Sequence, residues 1–474
     1  MSQPVIHWFR RDLRLQDNIA LHQAIASASA VVPIFVIDPT IINSERFGIP
    51  RMKFLLDALR SLDDDLKQYG TRLLVKHGTP INIIPDLVKE IEAQAVYLNR
   101  DYSPYAQSRD TQIETALDVQ THIYDDALLL PPGSIRTNAG DPYKVYTPFW
   151  KKWKAHQKPD ISRTALNAHT FHDLEGITND GIPTLDDLGM GDTIDLPTAS
   201  EAAAHEMLNA FLSDDIKHYE ETRNLLPIHP YGEERPRGTS YLSPYLRLGL
   251  LSPRQAYWAA RQAYDNTQSK QYRESIESWV SELAWREFYA HILYFYPHVM
   301  QRDFVDTYED MAWDDDQEAL QAWKDGTTGF PIVDAPMRQL KAIGWMPNRA
   351  RMIVASFLTK DLLIHWKHGD VHFMKHLIDG DPASNNGGWQ WAAGTGTDAQ
   401  PYFRIFNPIS QSKKYATADY LRYWLPELRD VPDKHIHEPH TADSPPADYP
   451  APIVNHKEAR ERTLAAFKAA RGDS

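Results

Sequence analysis

Val31-Val32-Pro33-Ile34-Phe35-Val36-Ile37 is an unbroken apolar run rich in β-branched residues. It is too short for a buried helix and reads as a strand covered on both faces. Val5–Phe9 upstream has the same character. Helical periodicity follows each run, over 17–28 and 51–69, and the alternation continues with strands expected at 72–76, 95–98 and 121–124 and helices at 80–93 and 104–118. Alternating strands and helices predict an α/β fold, a parallel doubly wound sheet with helices on both faces. Such sheets place ligands at the carboxyl ends of their strands. The sequence has no GxGxxG or Walker signature, so ordinary dinucleotide or nucleoside triphosphate binding is unsupported.

Beyond residue 131 the character changes. Pro-Pro-Gly at 131–133, Asn-Ala-Gly-Asp-Pro at 138–142 and Asp-Gly-Ile-Pro at 180–183 mark turns in a mostly irregular connector. From 201 the pattern is helical, with segments at 201–220, 253–265, 274–296, 317–324, 332–343, 348–366 and 370–378. An extended strap is expected at 431–452 and a closing helix at 455–471. The expected division is therefore an α/β unit at 1–131, a connector at 132–200 and a large all-α unit at 201–474.

Composition narrows the function classes. A chain of 474 residues with 42% apolar and 24% charged residues is an ordinary globular protein with room for more than one core. It has 0 cysteines, which excludes disulfides, thiolate metal sites and a cysteine nucleophile; no metal is expected. A formal net charge of −14 opposes broad nonspecific binding to nucleic acid but leaves room for a local basic groove. The N-terminus carries no basic-then-apolar signal, and no apolar run has membrane-spanning length. The expectation is a soluble protein of the cytosol.

Three stretches concentrate chemistry. Asp379-Gly380-Asp381-Pro382-Ala383-Ser384-Asn385-Asn386-Gly387-Gly388-Trp389-Gln390-Trp391 combines carboxylates, amides, paired glycines and tryptophans. Its first part is a turn, and the whole suits a planar ligand with a polar edge and a π-face. The same residues also read as a capped helix start with core tryptophans. Trp279, Glu282, Trp285, Arg286 and Tyr289 recur at three- and four-residue spacing and share one helical face. That face reads as a cavity wall, or as an internal salt bridge beneath stacked rings. Asn348 and Met352 sit one turn apart on a third helix, where Arg351 is placed to pair with Asp379 and Arg349 to reach phosphate or solvent. Upstream, Gly238-Thr239-Ser240-Tyr241-Leu242-Ser243-Pro244-Tyr245 offers hydroxyls and N–H groups before a helix, suiting a pyrophosphate or a simple cap.

Together with the opening Trp8-Phe9-Arg10-Arg11-Asp12-Leu13-Arg14-Leu15-Gln16-Asp17-Asn18 and with Arg404-Ile405-Phe406-Asn407-Pro408, these motifs resemble, in order and over nearly the whole chain, the photolyase–cryptochrome flavoprotein family. The likeness is to its bacterial class I cyclobutane pyrimidine dimer photolyases. The resemblance implies a carbon–carbon lyase that repairs ultraviolet-damaged DNA with light, with reduced FAD (FADH⁻) in the helical unit. It implies FAD neighbours at Tyr219, Thr239, Ser240, Leu242, Ser243, Trp279, Arg286, Asn348, Arg351, Asp379, Asp381 and Asn385, the last beside the reactive flavin nitrogen. Tyr241 stands where some relatives have Arg. A flipped-out dimer would meet Glu282, Trp285, Asn348, Arg349, Met352 and Trp391, with Arg223, Arg349 and Arg404 as phosphate contacts. Trp389, Trp366 and Trp313 match the family's tryptophan chain for photoreduction.

The alternative within the family is a cryptochrome-type blue-light receptor signalling through a partner. Neither Asn348 nor Met352 is the His that (6-4) photolyases carry there, and Met352 and Trp391 depart from the cryptochrome-DASH pattern of Gln and Tyr. For an antenna, Tyr105 and Ala106 replace the Asn-Glu pair of folate-type relatives. The segments 99–107 and 140–150 therefore favour 8-hydroxy-5-deazaflavin over methenyltetrahydrofolate, lined by Phe35, Arg51 and Asp101. The family likeness also implies a monomer of the bacterial cytosol, associated with the nucleoid when bound to damage. A plain α/β nucleotide-binding protein fused to a helical scaffold would explain the division of the chain but not Glu282, Trp285, Trp389 and Trp391 together.

Overall fold

The structure, a computed structural model, describes residues 3–28, 30–167, 170–191, 194–228 and 238–472. Its first part is β1 (Val5–Phe9), α1 (Ile19–Ser27), β2 (Val31–Ile37), α2 (Pro39–Ile42), α3 (Ile49–Lys67), β3 (Leu74–His77), α4 (Pro80–Glu90), β4 (Ala95–Asn99), α5 (Pro104–Ala116) and β5 (Gln120–Tyr124). The strands form one parallel sheet in the order β3-β2-β1-β4-β5, with Val5 opposite Val31 and Ile6 opposite Val96. Alternate residues serve two cores. Ile6, Trp8, Val32, Ile34 and Leu74 meet Ile84 and Leu87 of α4 and Ile113 of α5. Val5, Phe9, Val31, Phe35 and Val75 join α1, α3 and the helical part. Burial on both faces is why β1, β2 and β4 read as continuous apolar runs.

The connector is less irregular than its turn signals predict. It contains α6 (Tyr146–Ala155), whose Tyr146, Phe149 and Trp153 are buried, with Trp153 Nε1 donating to Glu287 Oε2 at 2.5 Å. The helical part follows as α7 (Glu201–Ser213), α8 (Tyr219–Thr222), α9 (Ser243–Leu248), α10 (Pro253–Asn266), α11 (Lys270–Phe295), α12 (Gln317–Asp325), α13 (Pro331–Ile343), α14 (Asn348–Ser356), α15 (Trp366–His376), α16 (Pro382–Ala393), α17 (Pro408–Tyr415), α18 (Ala418–Trp424) and α19 (His456–Arg471). The helix expected over 348–366 is broken. After α14 the backbone widens into a π turn at Phe357–Asp361, and Leu363 turns the chain at φ 55° before α15 begins. No Gly or Pro marks this break, although a side chain in the left-handed region is uncommon. Helices α9, α17 and α18 are too short to show periodicity. The strap at 431–452 holds one 3₁₀ turn, Pro439–Thr441. Among the described residues no helix is long and apolar enough to cross a membrane.

The strand order reverses between β1 and β4, and there the sheet meets the helical part. Arg14 and Arg254 both grip Asp126, at 2.7 Å each, and Arg254 also holds Asp17 at 3.0 Å. Arg11 spans Asp101 and, from α16's start, Asp381 at 2.8 Å. Gly249 (φ 69°) ends α9 so close to this loop that a Cβ there would lie 2.0 Å from the carbonyl oxygen of Arg11.

Candidate functional site

A cavity of about 500 Å³ opens in the helical part, walled by the 239–243 segment, α11, the starts of α14 and α16, and α15. Trp279, Glu282, Trp285, Arg286 and Tyr289 all line it, as their spacing on α11 predicts. Tyr219, Thr239, Ser240, Leu242, Ser243, Asn348, Arg351, Asp379, Asp381 and Asn385 line it as well, and so do Arg223, Arg349, Met352, Trp389 and Trp391. Residues distant in sequence thus converge on one space.

The carboxylates have distinct surroundings. Asp379 Oδ2 accepts from Arg351 Nη2 at 2.8 Å, the pairing expected from sequence, and from Ser243 Oγ at 2.6 Å. Its Oδ1 is buried without a protein partner among the described residues. Asp381 is fully engaged: Oδ1 accepts from the N–H groups of Ala383 and Ser384, capping α16, and Oδ2 meets Arg11. Burial opposes its ionisation, but Arg11 and Arg247 outweigh that and hold its carboxyl at about 2. Glu282 pairs with Arg223 Nη2 at 2.5 Å, yet burial raises its pKa against that pull. Asn385 spends its amide nitrogen on Asp370, at 2.5 Å to Oδ1 and 3.0 Å to the carbonyl oxygen. Its own Oδ1 remains as the acceptor for a ligand.

The fit to a flavin dinucleotide rests on these features. An orphaned buried acceptor at Asp379 calls for a donor. Burial, with Arg11 close by, pulls Arg247 down to about 10, and burial also lowers Arg286. Buried positive charge beside the Thr239, Ser240 and Ser243 hydroxyls suits a diphosphate. Gly387 lets α16 press on Tyr289, whose ring would lie 2.0 Å from a Cβ, whereas a Cβ on Gly388 would meet no protein atom within 4 Å. Gly388 therefore faces open cavity, where a flat ring can lie against backbone. The residues present fit FAD.

Several residues lie elsewhere than the sequence reading expects. Arg349 donates to Asn224 Oδ1 at 2.9 Å and lies over the Tyr415 ring at 4.6 Å, so it is tied to its neighbours as well as facing the cavity. Arg404 sits outside the cavity on an exposed loop. Tyr241 is buried at φ 53° and packs edge-on against Trp345, with ring centroids 4.7 Å apart, so it brings no charge to the site. Of the three chain tryptophans only Trp389 lines the cavity. Its ring edge rests on α15 at Gly369, where a Cβ would fall 2.0 Å from Trp389 Cη2, one turn from Trp366.

The two polar side chains of the antenna trio are engaged within the protein. Arg51 is 3% exposed and its guanidinium donates to the carbonyl oxygens of Arg46, Met374 and Gly380. Burial works against the Asp101 carboxylate, but Arg11 and the Ser103 N–H hold it well below its ordinary range. Phe35 is buried at the end of β2. Arg51 is thus an interdomain tie and Asp101 a tie within the α/β unit, so the polar groups of both already have protein partners. Tyr146 is the residue that sequence reasoning missed. It stacks on Trp285 at 3.5 Å and 10° from behind the cavity, and its hydroxyl donates to Ser281 O at 2.7 Å. The aromatic spacing of α6 was the available signal.

Known proteins agree with this geometry. Residues 5–168 match the family model described as DNA photolyase, and residues 279–469 that described as the FAD binding domain of DNA photolyase. The chain belongs to the photolyase–cryptochrome family. It is 43% identical to the deoxyribodipyrimidine photo-lyase of Halobacterium salinarum over 99% of each chain. It superposes on the crystal structure of a bacterial class III photolyase from Agrobacterium tumefaciens with a TM-score of 0.89, at 35% identity, covering 100% of this chain and 98% of that one. An archaeal photolyase from Sulfolobus tokodaii, described with two FAD molecules, gives 0.83 at 30% identity over 98% of this chain and 100% of that one.

Proposed function

We propose that this chain is a DNA repair photolyase that splits cyclobutane pyrimidine dimers in ultraviolet-damaged DNA under blue light. The observation that carries the reading is the convergence of Glu282, Trp285, Met352 and Trp391 with the flavin-fitting residues in one 500 Å³ cavity. When bound and reduced, FAD supplies light-driven one-electron donation. Arg351, Asp379, Ser243, Thr239, Ser240, Tyr219, Leu242, Trp279, Arg286, Asn348, Asp381 and Asn385 hold it. Trp285, backed by Tyr146, and Trp391 offer π-faces to the flipped-out bases, and Met352 fills the space between without a proton-transfer group. Glu282, raised by burial, donates a hydrogen bond to a base carbonyl when protonated and steadies charge developing there. Arg223, Arg349 and Arg404 meet DNA phosphates. Trp389, Trp366 and Trp313 return electrons from the surface.

The motifs at 99–107 and 140–150 support 8-hydroxy-5-deazaflavin over methenyltetrahydrofolate as antenna, at the sheet's carboxyl edge near Phe35. The reading divides the chain at 131 and 200 and has it act as a monomer in the cytosol.

The test is repair itself. Reduced protein is mixed with an oligonucleotide carrying one thymine dimer, with the lamp on and off. Light-dependent recovery of thymine is expected; bound, photoreducible FAD with no dimer split would overturn the repair reading and put light signalling first.

A further inference from the structure

The tryptophan chain has a fourth ring in it. His365 lies between Trp313 and Trp366, with centroids 5.1 Å from the first and 5.3 Å from the second. Its place is fixed from several sides. Leu363, at φ 55°, turns the chain ahead of it. Asp314 N–H donates to Leu363 O at 2.8 Å, pinning the Trp313 segment to that turn. His365 is the N-cap of α15, its Nδ1 accepting from Lys367 N–H at 3.1 Å. That acceptor role puts the ring's proton on Nε2 and makes it neutral. Trp366 is anchored independently, Nε1 to Asp303 Oδ1 at 2.6 Å, and Trp313 leans edge-on against Phe467 at 6.3 Å.

We infer that His365 is a positioning residue of the photoreduction chain: a neutral imidazole that holds the outer two tryptophans in one π-contact and carries their coupling. The inference rests on the proposed role of Trp313, Trp366 and Trp389. In the step it serves, one electron leaves the Trp313 ring for the oxidised Trp366 ring; Trp366 is restored, and Trp313 is refilled by an external thiol. No proton need cross His365, whose acceptor nitrogen is already used. A charge on this ring would oppose oxidation of both neighbours, so neutrality matters. Burial disfavours the imidazolium most, and Lys367 and His368 on its own helix add to it, holding the ring at about 4. From the facing elements, Asp314 is answered by Arg462 of α19 at 2.9 Å, and Asp303 is committed to Trp366.

Two substitutions separate the ring from the cap. His365→Asn keeps an N-cap acceptor and removes the ring; His365→Phe keeps a ring and removes the acceptor. In the FAD-loaded protein with a thiol donor, the visible absorption of the flavin under blue light reads the photoreduction rate. His365→Asn is expected to slow it by about tenfold, the sensitivity of a reaction to displaced partners, and His365→Phe to restore most of it. Nitrogen-15 NMR of the parent at pH 7 should show the Nε2-protonated neutral tautomer. An Asn variant as fast as the parent, a Phe variant no faster than Asn, or an imidazolium at pH 7 would overturn the inference. Trp313→Phe is measured alongside. If it is slow while His365→Asn is not, only the bridge falls; if it is as fast as the parent, the chain reading falls and takes the bridge with it.

Discussion

Two regions of the molecule are built from the same residue types and do opposite things. At the carboxyl ends of β1 and β4, where α/β sheets commonly bind ligands, each arginine has an acidic answer: Arg14 and Arg254 on Asp126, Arg254 on Asp17, Arg11 on Asp101 and Asp381. Beside Arg11 lies a space of about 30 Å³, room for a water. In the helical part the same chemistry is left unbalanced. Asp379 has an oxygen with no protein partner among the described residues, and Arg247 reaches its carboxylate, Asp381, only at 3.8 Å. A ligand site is therefore marked less by which charged residues are present than by whether their charges already close on one another.

The largest test of this contrast is in the closed region. Asp126→Ala strips Arg14 of its carboxylate and leaves Arg254 with Asp17 alone, both arginines at most 1% exposed, and should cost about 3–5 kcal/mol in denaturant unfolding. A loss under about 1 kcal/mol would mean that the crevice is not locked by charge. In the open region, Asp379→Ala removes one partner of a ligand that is not yet part of the fold. FAD affinity should fall by roughly 10–150-fold, the worth of a charge-assisted hydrogen bond of about 1.5–3 kcal/mol, while circular dichroism stays unchanged. Unaltered affinity on titrating the cofactor-free protein would move the flavin elsewhere. Glu282→Ala should lower repair per absorbed photon by about tenfold, one log unit of transition-state stabilisation, with a smaller effect on damaged-DNA affinity; Glu282→Gln, which keeps a donor, should lose less. Selective loss of DNA binding would reverse that role.

The last prediction concerns a cation with no acidic partner among the described residues. Lys360 is 2% exposed, donates to Ala393 O at 2.5 Å and lies over the Phe467 ring, and burial alone pulls it from 10.5 to about 7. Its folded-state pKa lies below the unfolded one, so the unfolded chain binds more protons between these values. Its contribution to stability therefore rises with pH from about 7 to 10.5 and is lost as pH falls through 7. Melting curves at pH 7 and pH 9 should show that rise in the parent and a weaker one in Lys360→Met; equal slopes would mean that Lys360 is solvated.

The sheet was legible because β1, β2 and β4 are buried on both faces and betray themselves by composition. The α11 wall was legible because Trp279, Glu282, Trp285, Arg286 and Tyr289 obey a local period. The Arg351–Asp379 pair followed from two motifs that needed each other. The partners of Arg51 and Asp101 were not legible, because a sequence displays a charge but not the group it meets: Arg51 answers carbonyl groups 323 and 329 residues away. Tyr146 was missed for the same reason, its stacking partner lying on another element. The break at Leu363 carries no Gly or Pro, the residues that mark such a break in a sequence.

The Arg11–Asp381 tie has a consequence for synthesis. The two residues are 370 positions apart. At ribosomal speeds of 5–20 residues per second the guanidinium emerges roughly 20–75 s before its carboxylate. For that interval Asp101 is the carboxylate of the nascent sheet that Arg11 can meet. Emergence of α16 then adds the second, so a motif translated late completes the first domain to be made.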